Sequence, residues 1–119
     1  MLRSILFGSC ILFLASSALG PSESLAAGDA AATYKTYCSS CHGETGKGDG
    51  AASAALDPKP ANFADAAFWK GKDDAYLTKV IKEGGTAVGK SPLMAAWGAV
   101  LKDDQIAGIV ALMKTFKGK

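Results

Sequence analysis

Cys38-Ser39-Ser40-Cys41-His42 decides how the rest of this chain is read. Two thiols stand three positions apart, an imidazole follows the second directly, and glycines recur at 43, 46, 48 and 50. A thioredoxin-like redox pair also uses C-x-x-C, but it belongs beside a βαβ pattern, which this sequence lacks. A closed zinc site takes four ligands, whereas the chain past its first segment offers two cysteines, one histidine and scattered carboxylates. The run Gly43-Glu44-Thr45-Gly46-Lys47-Gly48 has the wrong spacing for a phosphate-binding loop and no Ser or Thr after Lys47, so nucleotide binding is set aside.

The remaining reading is covalent haem attachment, the use to which C-x-x-C-H is put in c-type haem proteins. Cys38 and Cys41 would each form a thioether with a haem vinyl group, and His42 would meet the iron from one face. His42 is the single histidine of the chain, so two histidines from this chain cannot hold the iron. The sixth ligand is then methionine, a less common nitrogen or oxygen donor, or water in an open site. Besides the initiator, the methionines are Met94 and Met113. Met113 falls in step with Ile106, Ile109 and Val110, which reads as helix core. Met94 lies in the non-helical stretch Ser91-Pro92-Leu93-Met94-Ala95-Ala96-Trp97-Gly98 and is the expected ligand.

Outward from the motif, 119 residues allow one domain. Arg3, the apolar stretch from Ile5 to Leu14 and the small residues leading to Ser24-Leu25-Ala26-Ala27 have the layout of a secretory signal peptide. Cleavage is expected after Ala26 or Ala27, giving a leader over 1–26, a domain over 27–119 and a periplasmic location. Cys10 would leave with the leader. The longer apolar run from Ile5 to Leu19 is interrupted by Gly8, Ser9, Ser16 and Ser17 and is short of the ~20 residues that span a bilayer, so no membrane span is expected after cleavage. The leader carries one positive and one negative charge, Arg3 and Glu23, so the remainder keeps the formal +2 of the whole chain. Such a balance gives no reason to expect a nucleic-acid partner. A domain this small commonly needs a staple, and with two cysteines a disulfide framework is not available.

The pattern predicts an all-α domain with long loops. Asp29 is the expected cap of a first helix through Ala30–Ala32 and Tyr34 towards Cys38. Gly43 to Gly50 reads as a loop, Ala51 to Leu56 as a short helical turn, and Pro58 and Pro60 force 57–62 into extended or turn conformations. Asp73 caps a helix with Leu77, Val80 and Ile81 on one face, stopped by Gly84 and Gly85. A last helix begins near Asp103 and ends with Lys114 and Lys117 at its negative pole. Loops this long imply that something large and apolar fills the space between them.

The chain resembles the class I c-type cytochromes, the small bacterial monohaem kind. The likeness is carried by C-S-S-C-H-G-E-T-G-K-G-D-G at 38–50, K-P-A-N-F at 59–63 and S-P-L-M-A-A-W-G at 91–98. It departs from the family's common pattern at Ala95, Asn62 and Leu112, where proline, aspartate and an aromatic are usual. The resemblance implies a cytochrome c fold, with an amino-terminal helix crossing a carboxy-terminal one, one covalent haem c between them, His42 proximal and Met94 distal. It further implies that the carbonyl of Pro58 or Pro60 accepts from His42, and Trp69 and Trp97 are candidates to donate to haem propionates. The expected function is one-electron transfer between transient redox partners by a monomer that is not an enzyme and takes no small-molecule substrate. Lys47 and Lys90 are candidate rim charges. Two alternatives stay open: a haem subunit of a larger oxidoreductase, and a ligand-binding haem protein with an open distal site.

Overall fold

The computed structural model describes residues 22–119, with side chains from Asp29 onward. Residues 1–21, most of the expected leader and its Cys10, lie outside the described residues. Among the described residues four α-helices follow in order: α1 Ser22–Tyr37, α2 Ser39–His42, α3 Asp74–Glu83 and α4 Asp103–Thr115. Single 3₁₀ turns cover Ala51–Ala55, Ala66–Trp69 and Gly85–Val88. Among the described residues there is no strand, and no helix is long and apolar enough to cross a membrane.

α1 begins at Ser22, so Asp29 is an exposed residue inside the helix and not its cap. The backbone reason is local: Leu25, Ala26 and Ala27 lead into Ala30–Ala32, and such residues favour helix on both sides of Asp29. The other expected helices stand where their signals lie. The Asp73 carboxylate accepts the Tyr76 amide at 2.8 Å and starts α3, and Gly84 ends it. Asp103 and Asp104 open α4, whose buried face is Ile106, Ile109, Val110 and Met113.

α1 packs against α4, and α3 packs against α4 as well. The core gathers Tyr34 from α1, Leu77 and Ile81 from α3, Phe63 from the middle segment and the α4 stripe. Ile106 and Ile109 are fully buried. The Lys82–Asp103 pair at 2.7 Å and the Lys114–Asp74 pair bridge α3 and α4 on the exposed surface, where ion pairs add little, so apolar burial joins these helices. Phe116, the residue after α4, supplies the aromatic that Leu112 does not: its ring meets Tyr34 with centroids 5.4 Å apart.

Gly46 lets the loop after α2 close onto that contact. It adopts φ +72°, and a Cβ there would stand 2.5 Å from the Phe116 ring. Gly46→Ala is therefore expected to cost ~1–3 kcal/mol from the left-handed backbone, with the ring clash added. A lower urea midpoint at unchanged m value is the expected signature, and an unchanged midpoint would refute this account of the loop.

Candidate functional site

α1 delivers the motif. Its last turn runs into Cys38, whose amide donates to Tyr34 O at 2.8 Å, and α2 carries Cys41 and His42 round one further turn. The carbonyls left over at the end of α2 are taken up by the glycine loop. Gly48 N donates to His42 O at 2.7 Å and Gly50 N to Cys41 O at 3.2 Å, while the Tyr34 hydroxyl donates to Gly43 O at 2.8 Å. Burial pushes the Tyr34 phenol well above its usual range, with Cys38 and Asp49 adding to the shift. It therefore stays a hydrogen-bond donor at any ordinary pH.

Cys38 and Cys41 are both free thiols. Burial, with Cys41 beside it, pushes Cys38 up to about 11. A redox-active pair needs the reverse, a cysteine whose pKa is depressed so that thiolate is present at neutral pH. Burial of Cys38 thus works against the thioredoxin-like reading. Zinc fares no better, since among the described residues no three His, Cys, Asp or Glu side chains gather to hold a metal ion.

His42 Nδ1 lies 3.3 Å from the carbonyl oxygen of Ala61. A carbonyl can only accept, so this contact puts the ring proton on Nδ1 and leaves the lone pair on Nε2. Burial lowers the His42 pKa against the opposing pull of that carbonyl, which favours the neutral imidazole that a metal requires. The expectation that Pro58 or Pro60 supplies this carbonyl is corrected: Ala61 does. The Pro60 carbonyl is pressed against Gly48, where any Cβ would collide with it, and Pro58 is exposed.

Cys38, Cys41, His42 and Met94 all line one cavity of about 410 Å³. Leu56, Phe63, Leu77, Ile81 and Trp97 give it apolar walls. The Met94 stretch is held to the end of α3 by backbone bonds. Gly85 N donates to Met94 O at 2.9 Å, Trp97 N to Ile81 O at 2.8 Å and Gly98 N to Lys82 O at 3.0 Å. The last two satisfy carbonyls that the end of a helix leaves without partners, so the loop is fastened in place. Met113 is buried in the α4 stripe as expected, yet it too borders the cavity.

The tryptophans part company. Trp97 lines the cavity, whereas Trp69 does not and donates its indole N–H to Phe63 O at 2.8 Å, so the expected propionate role fails for Trp69. Of the candidate rim charges, Lys90 borders the cavity and Lys47 does not. Lys59 and Lys72 border it too, and sequence reasoning missed both. Lys72 sits 4.8 Å from the Phe68 ring centroid, a cation–π contact that no sequence spacing announces.

Residues 26–113 match the family model described as cytochrome c oxidase, cbb3-type, subunit III. The chain belongs to this family of c-type cytochromes. Its fold is also that of a solved structure, the KustC0563 c-type cytochrome, at a TM-score of 0.61 and 24% identity over 75% of this chain and 98% of that one. Membership carries covalently bound haem c and haem-based electron transfer. The cytochrome's own residues fit the group: a large apolar cavity, two thiols at its wall and an imidazole whose burial favours the neutral form and whose Nδ1 faces a carbonyl. A cavity of this size with apolar walls suits a large apolar group.

Proposed function

We propose that this cytochrome is a periplasmic one-electron carrier with a single haem c, attached through Cys38 and Cys41, its iron held by His42 and Met94. The observation that carries this reading is the shared cavity: all four side chains border it, and the chain has one C-x-x-C-H motif. When bound, the haem supplies a ferric–ferrous couple. The protein's part is to hold still. Thioethers at Cys38 and Cys41 would fix the group to the α1–α2 corner, Ala61 O keeps the Nδ1 proton of His42 in place, and the bonds to α3 fix the Met94 backbone. Apolar walls keep water from the site, so little solvent has to reorganise when charge changes.

Carbon monoxide tests the carrier reading. Reduced protein with both axial positions filled is expected to resist it at neutral pH, and rapid binding would favour the open-site alternative. A leader removed after Ala26 or Ala27 is part of the proposal, and the mass of the purified protein decides it. The expected mass is that of residues from 27 or 28 onward plus one haem.

The family's description as an oxidase subunit supports a second reading, in which the same domain feeds electrons within a larger oxidoreductase. Co-purification with membrane-bound partners under mild detergent distinguishes the two. In either case a redox partner approaches the cavity mouth, where Lys90 stands and Lys47 does not. Lys90→Gln is therefore expected to flatten the salt dependence of the electron-transfer rate, and Lys47→Gln to leave it nearly unchanged. Equal effects from both would remove Lys90 from the docking rim.

A further inference from the structure

Two separate contacts to the His42 ring come from one stretch, Ala61-Asn62-Phe63. Ala61 O accepts from Nδ1 at 3.3 Å, the long end of the hydrogen-bond range and a weak restraint on ring orientation. The Phe63 ring lies nearly flat on the imidazole, with centroids 4.7 Å apart and planes 22° from parallel. A ring lying flat on another restricts rotation of the histidine about its own Cβ–Cγ bond, which the long hydrogen bond does only weakly.

The stretch belongs to no helix, so its peptide planes have no ladder to hold them. Phe63 anchors it instead from both sides of its own backbone. Its amide donates to Gly46 O at 2.6 Å, and its carbonyl accepts the Trp69 indole at 2.8 Å. Phe63 is 5% exposed. Phe68 packs on it at 5.1 Å, and Trp69 meets Phe68 edge-on at 5.2 Å. The 3₁₀ turn Ala66–Trp69 thus brings two aromatic side chains back onto the residue that covers His42.

We propose that Phe63, and Trp69 through it, are positioning residues that set the plane of the His42 imidazole and keep its Nδ1 proton on Ala61 O. The proposal rests on the reading of His42 as the iron ligand. An imidazole whose Nδ1–H is firmly bonded is the stronger donor and favours ferric iron. Loosening the ring weakens that bond and raises the midpoint potential.

The test uses the intact, haem-loaded protein. Phe63→Leu removes the stack and keeps both backbone bonds; Trp69→Phe removes the indole donor and keeps an aromatic ring. Val110→Ala, in the buried face of α4 and outside all these contacts, supplies a variant that is merely less stable. Solvent exchange of the His42 Nδ1 proton is read by NMR in the reduced state, alongside the ferric electron paramagnetic resonance g-values and the midpoint. Both test variants are expected to exchange about tenfold faster, as for the opening of one hydrogen bond, with shifted g-values and a raised midpoint. Phe63→Tyr is expected to restore all three towards the unsubstituted protein. The proposal is overturned if Phe63→Leu and Trp69→Phe leave exchange and g-values where they were, or if Val110→Ala moves them equally. Failure of the iron-ligand reading has its own mark, an unsubstituted ferric protein whose spectrum shows no histidine ligation, and is told apart from failure of the positioning role.

Discussion

Cys38→Ala combined with Cys41→Ala is expected to yield a chain that keeps no haem colour after denaturation and, before haem is added, melts without a cooperative transition. The cavity these thiols border measures about 410 Å³. At ~24 cal/mol per Å³ of cavity left open in a core, that volume corresponds to about 10 kcal/mol. The figure is an upper one, since walls collapse and water enters from the mouth. It is nevertheless as large as the whole stability of an ordinary domain, about 5–15 kcal/mol. The core cannot absorb such a loss, because several of its members, Phe63, Leu77, Ile81, Ile109 and Met113, are themselves cavity walls. Far-ultraviolet circular dichroism on heating, together with the visible spectrum after acid-acetone extraction, reads both effects. A haem-free double variant that melts sharply at the temperature of the unsubstituted protein would show that the helices carry the fold alone.

That dependence was legible in the sequence as a mismatch between long loops and a short chain. The helix signals were equally open to reading, because each lies within a few residues of its effect: Asp73 three residues from the Tyr76 amide it caps, and the α4 stripe at the helical period. What stayed hidden were choices made between distant residues. Whether the carbonyl of Pro58, Pro60 or Ala61 meets His42 depends on where Gly48 presses on the segment, a contact across twelve positions. Whether Trp69 turns towards the cavity depends on which acceptor its indole finds, and the one it takes, Phe63 O, lies six positions back in a stretch with no helical period to predict it. Met113 exposes a further limit. An apolar stripe announces that a face is covered, but the same residues serve against another helix or along a cavity, and here Met113 does both.

Met94→Ala is expected to abolish the weak far-red absorption of a ferric sulfur–iron bond, let reduced protein bind carbon monoxide, and lower the midpoint by about 0.2 V, a fraction of the ~0.8 V that axial ligands span. Met113→Leu should change none of these and cost less than about 1.5 kcal/mol, since it conserves core volume. Both sulfurs belong to residues that border the cavity, so proximity does not choose between them. The surroundings do. Met113 is 4% exposed and packs with Ile106, Ile109 and Val110 on a helix whose register would have to turn to redirect it. Met94 is half-buried in an irregular loop, where its backbone is fastened by Gly85 and its side chain, packed at the margin of the core, belongs to no helix register. Methionine is a weak donor that favours ferrous iron, so losing it lowers the potential even though the core of α4 stays whole. A far-red band that survives Met94→Ala and disappears in Met113→Leu would exchange the two assignments and make α4, not the loop after α3, the element that holds the iron.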